Sequence, residues 1–247
     1  MYEVTLGGIK IFYNDPHDLV AIIENTVIDV YGFKYLKEGD SVLDLGAGIG
    51  EFTTLSSRII GDSGLVISVE PNPRDYETLN RNLQTNDCKN VASYNNAFSY
   101  GKDLIPLEFK SHFFEAKPIT LSEIKKCLTE HKKYKFDIIK MDIEGGEVDA
   151  LTLLRDYLAE TRSIMIELHG TKVEVDKILL PLGFKFKRLK RSRYVVAAWV
   201  YFLRHPITAL HLWILFNSTG ENPGFKKLFG GIEITTSEEL MVGRYVK

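Results

Sequence analysis

The chain has 247 residues, 31 basic against 33 acidic side chains for a net charge of -2, and 45% apolar with 26% charged residues. This is the profile of one globular domain able to bury a full core, and the even charge balance excludes a global bias toward nucleic acid or toward solvating disorder. The two cysteines, Cys88 and Cys127, stand far apart without CxxC or Cys/His ligand spacing, which excludes a disulfide framework and a structural zinc site and points to a reducing compartment.

Residues 1–40 read as a hairpin-like start followed by a helix, with Asp15 as N-cap, Pro16 at the first helical position, and Leu19, Ile23, Val27 and Val30 on one face. The opening MYEVTLGGIKIFYND shows no basic segment followed by an apolar run and a cleavage site, so the expected location is cytoplasmic. From Ser41 onward, apolar runs of strand length alternate with amphipathic segments of helix length. The predicted strands are Ser41–Leu45, Leu65–Val69, Val91–Asn95, Asp137–Met141, Ser163–Leu168, Phe184–Leu189 and Leu240–Val246. Phe52, Leu55 and Ile59 share one helix face, Tyr76, Leu79 and Leu83 another. Thr120 with Glu123 and Thr171 with Glu174 both match a capping box. The alternation predicts an α/β fold with a mostly parallel sheet and helices on both faces. Residues 41–191 form its core, 192–239 an inserted cap too long for a simple connection, and 240–247 the last strand. The most apolar stretch, Val195 to Leu203, is broken by Arg204, His205 and Pro206 well short of the about 20 residues that span a bilayer.

The string VLDLGAGIGEF places Gly46, Gly48 and Gly50 where the first of these strands turns into a helix, the place for backbone that must adopt positive φ or admit a ligand closely. Glu70 ends the next strand in VISVEPNP, where an acidic side chain accepts hydrogen bonds from ribose hydroxyls. The glycines run G-x-G-x-G rather than G-x-G-x-x-G, and Asp44 precedes them. A carboxylate there repels a pyrophosphate but suits the ammonium and sulfonium of S-adenosylmethionine, which is therefore preferred over NAD. No GKS or GKT follows, so a P-loop is excluded. Asn95 and Asn96 end the third strand, where an amide serves either an adenine edge or the turn itself.

A second cluster, FDIIKMDIEGGEVDAL, sets Asp142, Glu144 and Glu147 around a Gly145-Gly146 turn at the same carboxyl edge. Glu147, and with it Glu144, reads as a partner of the following helix dipole, whereas Asp142 points into the crevice. Lys140, inside an otherwise apolar strand, needs a partner, and these acids are the expected ones. The fifth strand delivers Glu167 and His169 to that edge in MIELHG. His169 is a general-base candidate or a surface residue.

Taken together, VLDLGAGIGEF, SVEPNPRDYETLNRNLQTN, ITLSEI, DIIKMDIEGGEVDAL and IMIELHG resemble, in order and spacing, the FkbM-type S-adenosylmethionine-dependent methyltransferases, from about Gly39 to about His169, roughly half of the chain. K-x-D-x-E-G-x-E is the most specific element. The resemblance implies a Rossmann-like class I methyltransferase fold with seven strands, the last antiparallel, and transfer to a hydroxyl of a small molecule, sugar or glycolipid. By the resemblance Asp44, Gly46, Gly48 and Glu70 bind cofactor, Asn96 lies by the adenine, and Asp142 and Glu144 line the active site; the expected cofactor contacts further include Ala47, Gly50, Pro71, Ala97 and Asp142, and Glu167 and His169 complete the expected catalytic edge. Two departures stand out. The family often has Asn where this chain has Gly48, and Ser192 to Glu239 aligns with nothing familiar.

A hydroxyl needs a base or a metal to lose its proton, and the clustered acids offer oxygen ligands for Mg²⁺ without establishing it. FKFKRLKRSR and the apolar segment after it, residues 184–216, match a peripheral contact with an anionic membrane as well as a solvated edge and packed helices. The same basic run is the one feature that fits a nucleic-acid methylase. DIEG, rather than an N-P-P-Y amine-methylation motif, stands at the end of the fourth strand and argues against that class. A non-catalytic S-adenosylmethionine-binding module is the reading from another class.

Overall fold

The structure is a computed structural model that describes residues 1–99, 101, 103–109, 112–188, 199–200, 203–204, 206–207, 210 and 240–247. Most of the expected inserted cap and most of the 184–216 membrane segment lie outside the described residues. Among those described, no helix is long and apolar enough to cross a membrane.

The chain opens with the hairpin β1 (Tyr2–Leu6) and β2 (Ile9–Tyr13), antiparallel across the Gly7-Gly8 turn. Val4, Leu6, Ile9, Ile11 and Tyr13 bury one face of it. Helix α1 (Pro16–Ile23) follows and widens into a π turn over Glu24–Ile28, which ends where Asp29 adopts φ 57. That turn delivers Val30 and Tyr31 to the core.

The core elements then come in order: β3 (Ser41–Leu45), α2 (Glu51–Ile60), β4 (Leu65–Val69), α3 (Pro73–Thr85) and β5 (Val91–Tyr94). Four short strands fill the next connection: β6 (Ala97–Phe98), β7 (Ile105–Phe109), β8 (His112–Ala116) and β9 (Pro118–Ile119). The last part holds α4 (Leu121–Glu130), β10 (Ile138–Met141), α5 (Glu147–Leu153), α6 (Arg155–Leu158), β11 (Ser163–His169), α7 (Lys172–Leu179), β12 (Lys185–Arg188) and β13 (Leu240–Val246).

The main sheet has seven strands in the order β12-β13-β11-β10-β3-β4-β5. Neighbours from β11 to β5 run parallel, and β13 enters antiparallel between β11 and β12. This is the sheet that the resemblance implies. The seven predicted strands are all present, with ends shifted by one residue or none: Val91–Tyr94, Ile138–Met141, Ser163–His169 and Lys185–Arg188 replace the expected bounds.

Strands β3 and β4 are buried along their whole length, which is why they read as continuous apolar runs. Alternate residues serve opposite faces. Val42, Val66, Ile138 and Met165 pack with the hairpin, Phe52 and Ile60, while Leu43, Ile67, Ile139, Met141 and Ile166 pack with α4, α5 and α7. The hairpin is held by two asparagines of α3. Asn82 accepts from the Phe12 N–H at 2.7 Å and donates to the Phe12 and Ile49 carbonyls, and Asn86 brackets Lys10 in the same way.

At the amino edge of the sheet, Arg162 reaches Asp40 at 2.6 Å and Asp137 at 2.8 Å, and Asp137 also accepts from the Ser41 N–H at 3.0 Å. This network pins the starts of β3, β10 and β11, so the register of their far ends is fixed. One expected cap is absent. Thr120 forms its capping box with Glu123, but the Thr171 hydroxyl makes no cap and donates instead to Glu147 Oε2 at 2.8 Å.

Candidate active site at the carboxyl edge

Sheet order reverses between β3 and β10, and the crevice at such a switch point is the ligand site of open α/β sheets. The glycine loop lies on its β3 side. Gly46 (φ 74) cannot carry a side chain, because a Cβ would stand 1.8 Å from the Asp142 carbonyl oxygen. Gly48 (φ 55) differs: a Cβ there would meet nothing within 4 Å, so the space over it is open to a ligand. Gly50 caps α2, and its missing Cβ lets Leu79 approach. The buried Ala47 completes the turn by accepting from the Gly50 N–H at 3.0 Å.

The loop amides are already engaged. Gly46 and Ala47 donate to the Val69 carbonyl at 2.9 and 3.1 Å, and Gly48 donates to Glu70 Oε2 at 2.7 Å. They are not arrayed for a pyrophosphate. Glu70 is buried at the end of β4, and its Oε1 accepts from the Asn72 N–H at 2.8 Å. Burial outweighs those two amides and raises its pKa to about 7. Asn95 Nδ2 donates to the Glu70 and Pro71 carbonyls at 2.9 and 3.1 Å and so fixes this strand end, while Asn96 donates to Pro118 at 3.1 Å and ties Ala97 and β6 to β9. A carboxylate acceptor at the end of β4 beside open space over Gly48 fits a nucleoside with free ribose hydroxyls.

Two expectations about charge are corrected. Asp44 does not stand free to meet a cofactor cation, because it is fully buried, lies 3.2 Å from Lys140 Nζ and accepts the Thr53 hydroxyl at 2.5 Å. Lys140 accordingly pairs with none of Asp142, Glu144 and Glu147. Register places it directly across from Asp44, and its ammonium also donates to the Gly46 carbonyl. The buried pair is nearly neutral and braces the loop from behind. Burial pulls the Lys140 pKa down, but the charge of Asp44, and after it that of Asp142, prevails and raises it, so it stays an ammonium.

On the β10 side, Asp142 is held by its N–H on the Leu45 carbonyl at 3.0 Å, and its Oδ2 accepts from the Tyr31 hydroxyl at 3.3 Å. Asp142, Glu167 and His169 come together, with one ligand-type atom of each within 4.8 Å of the others, all partly buried. Glu144 sits apart at the mouth, on a left-handed turn (φ 49), its carboxylate 70% exposed and 3.4 Å from His169 Nε2. Burial, and then the charge of Asp142, raises Glu167 to about 8. Burial pulls His169 down, but the Glu147 hydrogen bond and the charge of Glu144 prevail and raise it to about 9.

Glu147 is more than a dipole partner. Its side chain is fully buried and accepts from His169 Nδ1 at 2.9 Å, from Thr171 and from the Gly145 N–H at 2.9 Å. The sequence reading also missed Tyr31 and Glu51. Tyr31 arrives from the N-terminal segment, with no motif to announce it. Glu51, the first residue of α2, is buried with Oε1 3.1 Å from Asn25 Nδ2 and no hydrogen bond to Oε2 among the described residues.

The family model for the FkbM methyltransferase domain matches residues 44–186, more than half of the chain. The chain belongs to the FkbM methyltransferase family. Residues 44–186 are thus an S-adenosylmethionine-dependent methyltransferase domain. Among curated proteins, protein-L-isoaspartate O-methyltransferase 1 of Archaeoglobus fulgidus is 41% identical over 56 residues, 23% of this chain and 26% of that protein. The match therefore spans about a quarter of that relative's length. Among solved structures, an S-adenosylmethionine-dependent O-methyltransferase of Thermotoga maritima is similar at 18% identity and TM-score 0.44, over 72% of this chain and 54% of that one. A structure described as a putative rRNA-methylase of Clostridium thermocellum is similar at 10% identity and TM-score 0.46, over 96% and 97%.

Proposed function

We propose that this FkbM-family protein transfers the methyl group of S-adenosylmethionine to a hydroxyl oxygen of a small-molecule or carbohydrate acceptor. The observation that carries the reading is the group of Asp142, Glu167 and His169, gathered within 4.8 Å across the crevice from the glycine loop. In the reaction the acceptor oxygen bonds to the methyl carbon, the carbon–sulfur bond breaks with its electron pair left on sulfur, and the hydroxyl proton departs. The sulfonium is reactive by itself, so alignment is the larger part of catalysis. The proton is the remaining difficulty, since a hydroxyl holds it far above neutral pH, and the edge offers it a place to go on Asp142, or on Glu167 and His169 once the pH rises through about 8 and about 9 and frees them of their own protons. A neutral amine attacks without prior loss of a proton and needs no such group.

The test is incubation with methyl-labelled S-adenosylmethionine and a panel of sugars, glycolipids, hydroxylated small molecules, amines and RNA. Label in an ether linkage to a hydroxylated acceptor is the expected result. Label confined to amines or RNA would overturn it, and cofactor binding without turnover on any acceptor would favour a non-catalytic binding module.

A further inference from the structure

We infer that Asp142, Glu167 and His169 form a site for a divalent cation of the Mg²⁺ or Mn²⁺ class, placed to receive two oxygens of the methyl acceptor. The role given to the acceptor rests on the hydroxyl reading above, whereas the cation site stands on its own observations.

The first is geometry. Asp142 follows β10, Glu167 and His169 lie two residues apart on the same side of the adjacent parallel strand β11, and their ligand-type atoms fall within 4.8 Å of one another. Ligands around an octahedral cation of this size lie roughly 3 to 4 Å apart, given metal–oxygen distances of about 2.1 Å. Small side-chain rotations close that gap.

The second is a missing partner. Glu167 is partly buried against Asp142, yet among the described residues its carboxylate accepts no hydrogen bond and forms no ion pair with a Lys or Arg. The nearby ammonium, Lys140, is held by Asp44 and the Gly46 carbonyl. Asp142 receives one long bond, 3.3 Å from the Tyr31 hydroxyl. Two adjacent carboxylates with so few donors call for positive charge between them.

The third lies behind the histidine. Glu147, outside the triad and fully buried, holds His169 Nδ1 at 2.9 Å and is itself fixed by Thr171 and the Gly145 N–H. With the proton placed on Nδ1, Nε2 is the ligating atom, and a cation there takes the place of the contact that Nε2 now makes with the exposed Glu144 carboxylate at 3.4 Å. A carboxylate that orients the far nitrogen in this way is the usual support of a metal-bound histidine. Two carboxylates, one imidazole and no thiolate suit Mg²⁺ or Mn²⁺ better than softer ions. Three protein ligands leave about three of six positions for oxygens, so the acceptor class is a hydroxyl with a second oxygen on the neighbouring carbon, able to chelate.

The test is titration of the chelator-treated full chain with Mn²⁺, the free ion read by electron paramagnetic resonance, without cofactor or acceptor. One Mn²⁺ per chain with a dissociation constant below about 1 mM is expected, displaced by Mg²⁺ and weakened at least about tenfold in both Glu167→Gln and His169→Asn. Unchanged S-adenosylhomocysteine affinity certifies the fold of each variant, and Glu167→Gln also relieves the repulsion from Asp142. No binding at 1 mM, or binding unaltered in both variants, overturns the site. Mn²⁺ binding with label found only on amines or RNA, and none in an ether linkage, would refute the hydroxyl reading alone. Product formed at an undiminished rate in excess chelator would refute the cation alone.

Discussion

Glu51 permits a direct test of the physics at this edge. It is 9% exposed, its Oε2 lacks a hydrogen bond among the described residues, and burial, with Asp44 and Asp18 adding to it, raises its pKa from 4.5 to about 8 against the opposing pull of Lys140. That interval corresponds to about 5 kcal/mol between the two protonation states. The folded chain binds the Glu51 proton more tightly than the unfolded chain does. The stability it contributes is therefore fully present below pH 4.5 and is lost as pH rises toward about 8. Glu51→Gln keeps the shape and the bond to Asn25 but cannot ionise. The variant should match the wild type near pH 4.5, gain on it by about 1.4 kcal/mol per pH unit, and level off above pH 8 at about 3 to 5 kcal/mol. Urea denaturation of both proteins from pH 5 to 9 measures this difference, and other buried acids cancel because both chains carry them. A difference independent of pH would refute the argument, for it would mean that the carboxylate finds water or a cation in the folded protein.

Gly46→Ala places a Cβ 1.8 Å from the Asp142 carbonyl in a positive-φ turn and should cost at least about 3 kcal/mol, seen as a lower melting temperature with loss of S-adenosylhomocysteine binding. Gly48→Ala meets open space but must hold φ 55, so calorimetry should find it folded at a cost of about 1 to 2 kcal/mol yet poor at binding the cofactor proposed to use that space. Glu70→Gln sets an amide NH2 against one of the two backbone N–H groups, of Gly48 and Asn72, that the carboxylate oxygens now accept from; it should weaken S-adenosylhomocysteine by about 10- to 100-fold in titration calorimetry and lower the melting temperature by the equivalent of about 1 to 3 kcal/mol. Arg162→Leu leaves the buried Asp40 and Asp137 short of their shared cation; since the guanidinium is itself 34% exposed, about 2 kcal/mol should be lost in urea denaturation at pH 7.

What could be read from the sequence follows from the range of the interactions. The strands of the main sheet were legible because burial on both faces turns each into an apolar run bounded by turn residues, as in VLDL and LVISV. The glycine loop and Glu70 were legible because their spacing along the chain is their geometry. The strands within residues 97–119 were not, since IPLEF and HFFEA carry a proline and mixed polarity and pair locally, away from the main sheet. Thr171 followed the capping-box pattern but met a stronger acceptor in Glu147, 24 residues earlier. Tyr31 reaches Asp142 across 111 residues, a separation on which no local pattern bears.

The K-x-D-x-E-G-x-E string acquires a physical meaning from this placement. Lys140 turns to the same sheet face as Val42 and Ile138, where it meets Asp44, the Gly46 carbonyl and, 5.6 Å away, the Tyr31 ring. Two residues on, Asp142 lends its backbone to Leu45 and its carboxylate to the acceptor edge. Glu144 takes the left-handed turn that lets Gly145 donate to Glu147, and Glu147 then anchors the imidazole of β11. One strand and one turn thus couple the glycine loop to the group of Asp142, Glu167 and His169. A slip of one residue in β10 would move Lys140 to the opposite face of the sheet, leave Asp44 buried without a cation, and withdraw Asp142 from the crevice, so the spacing within the string is fixed by the distance between two sites rather than by either one.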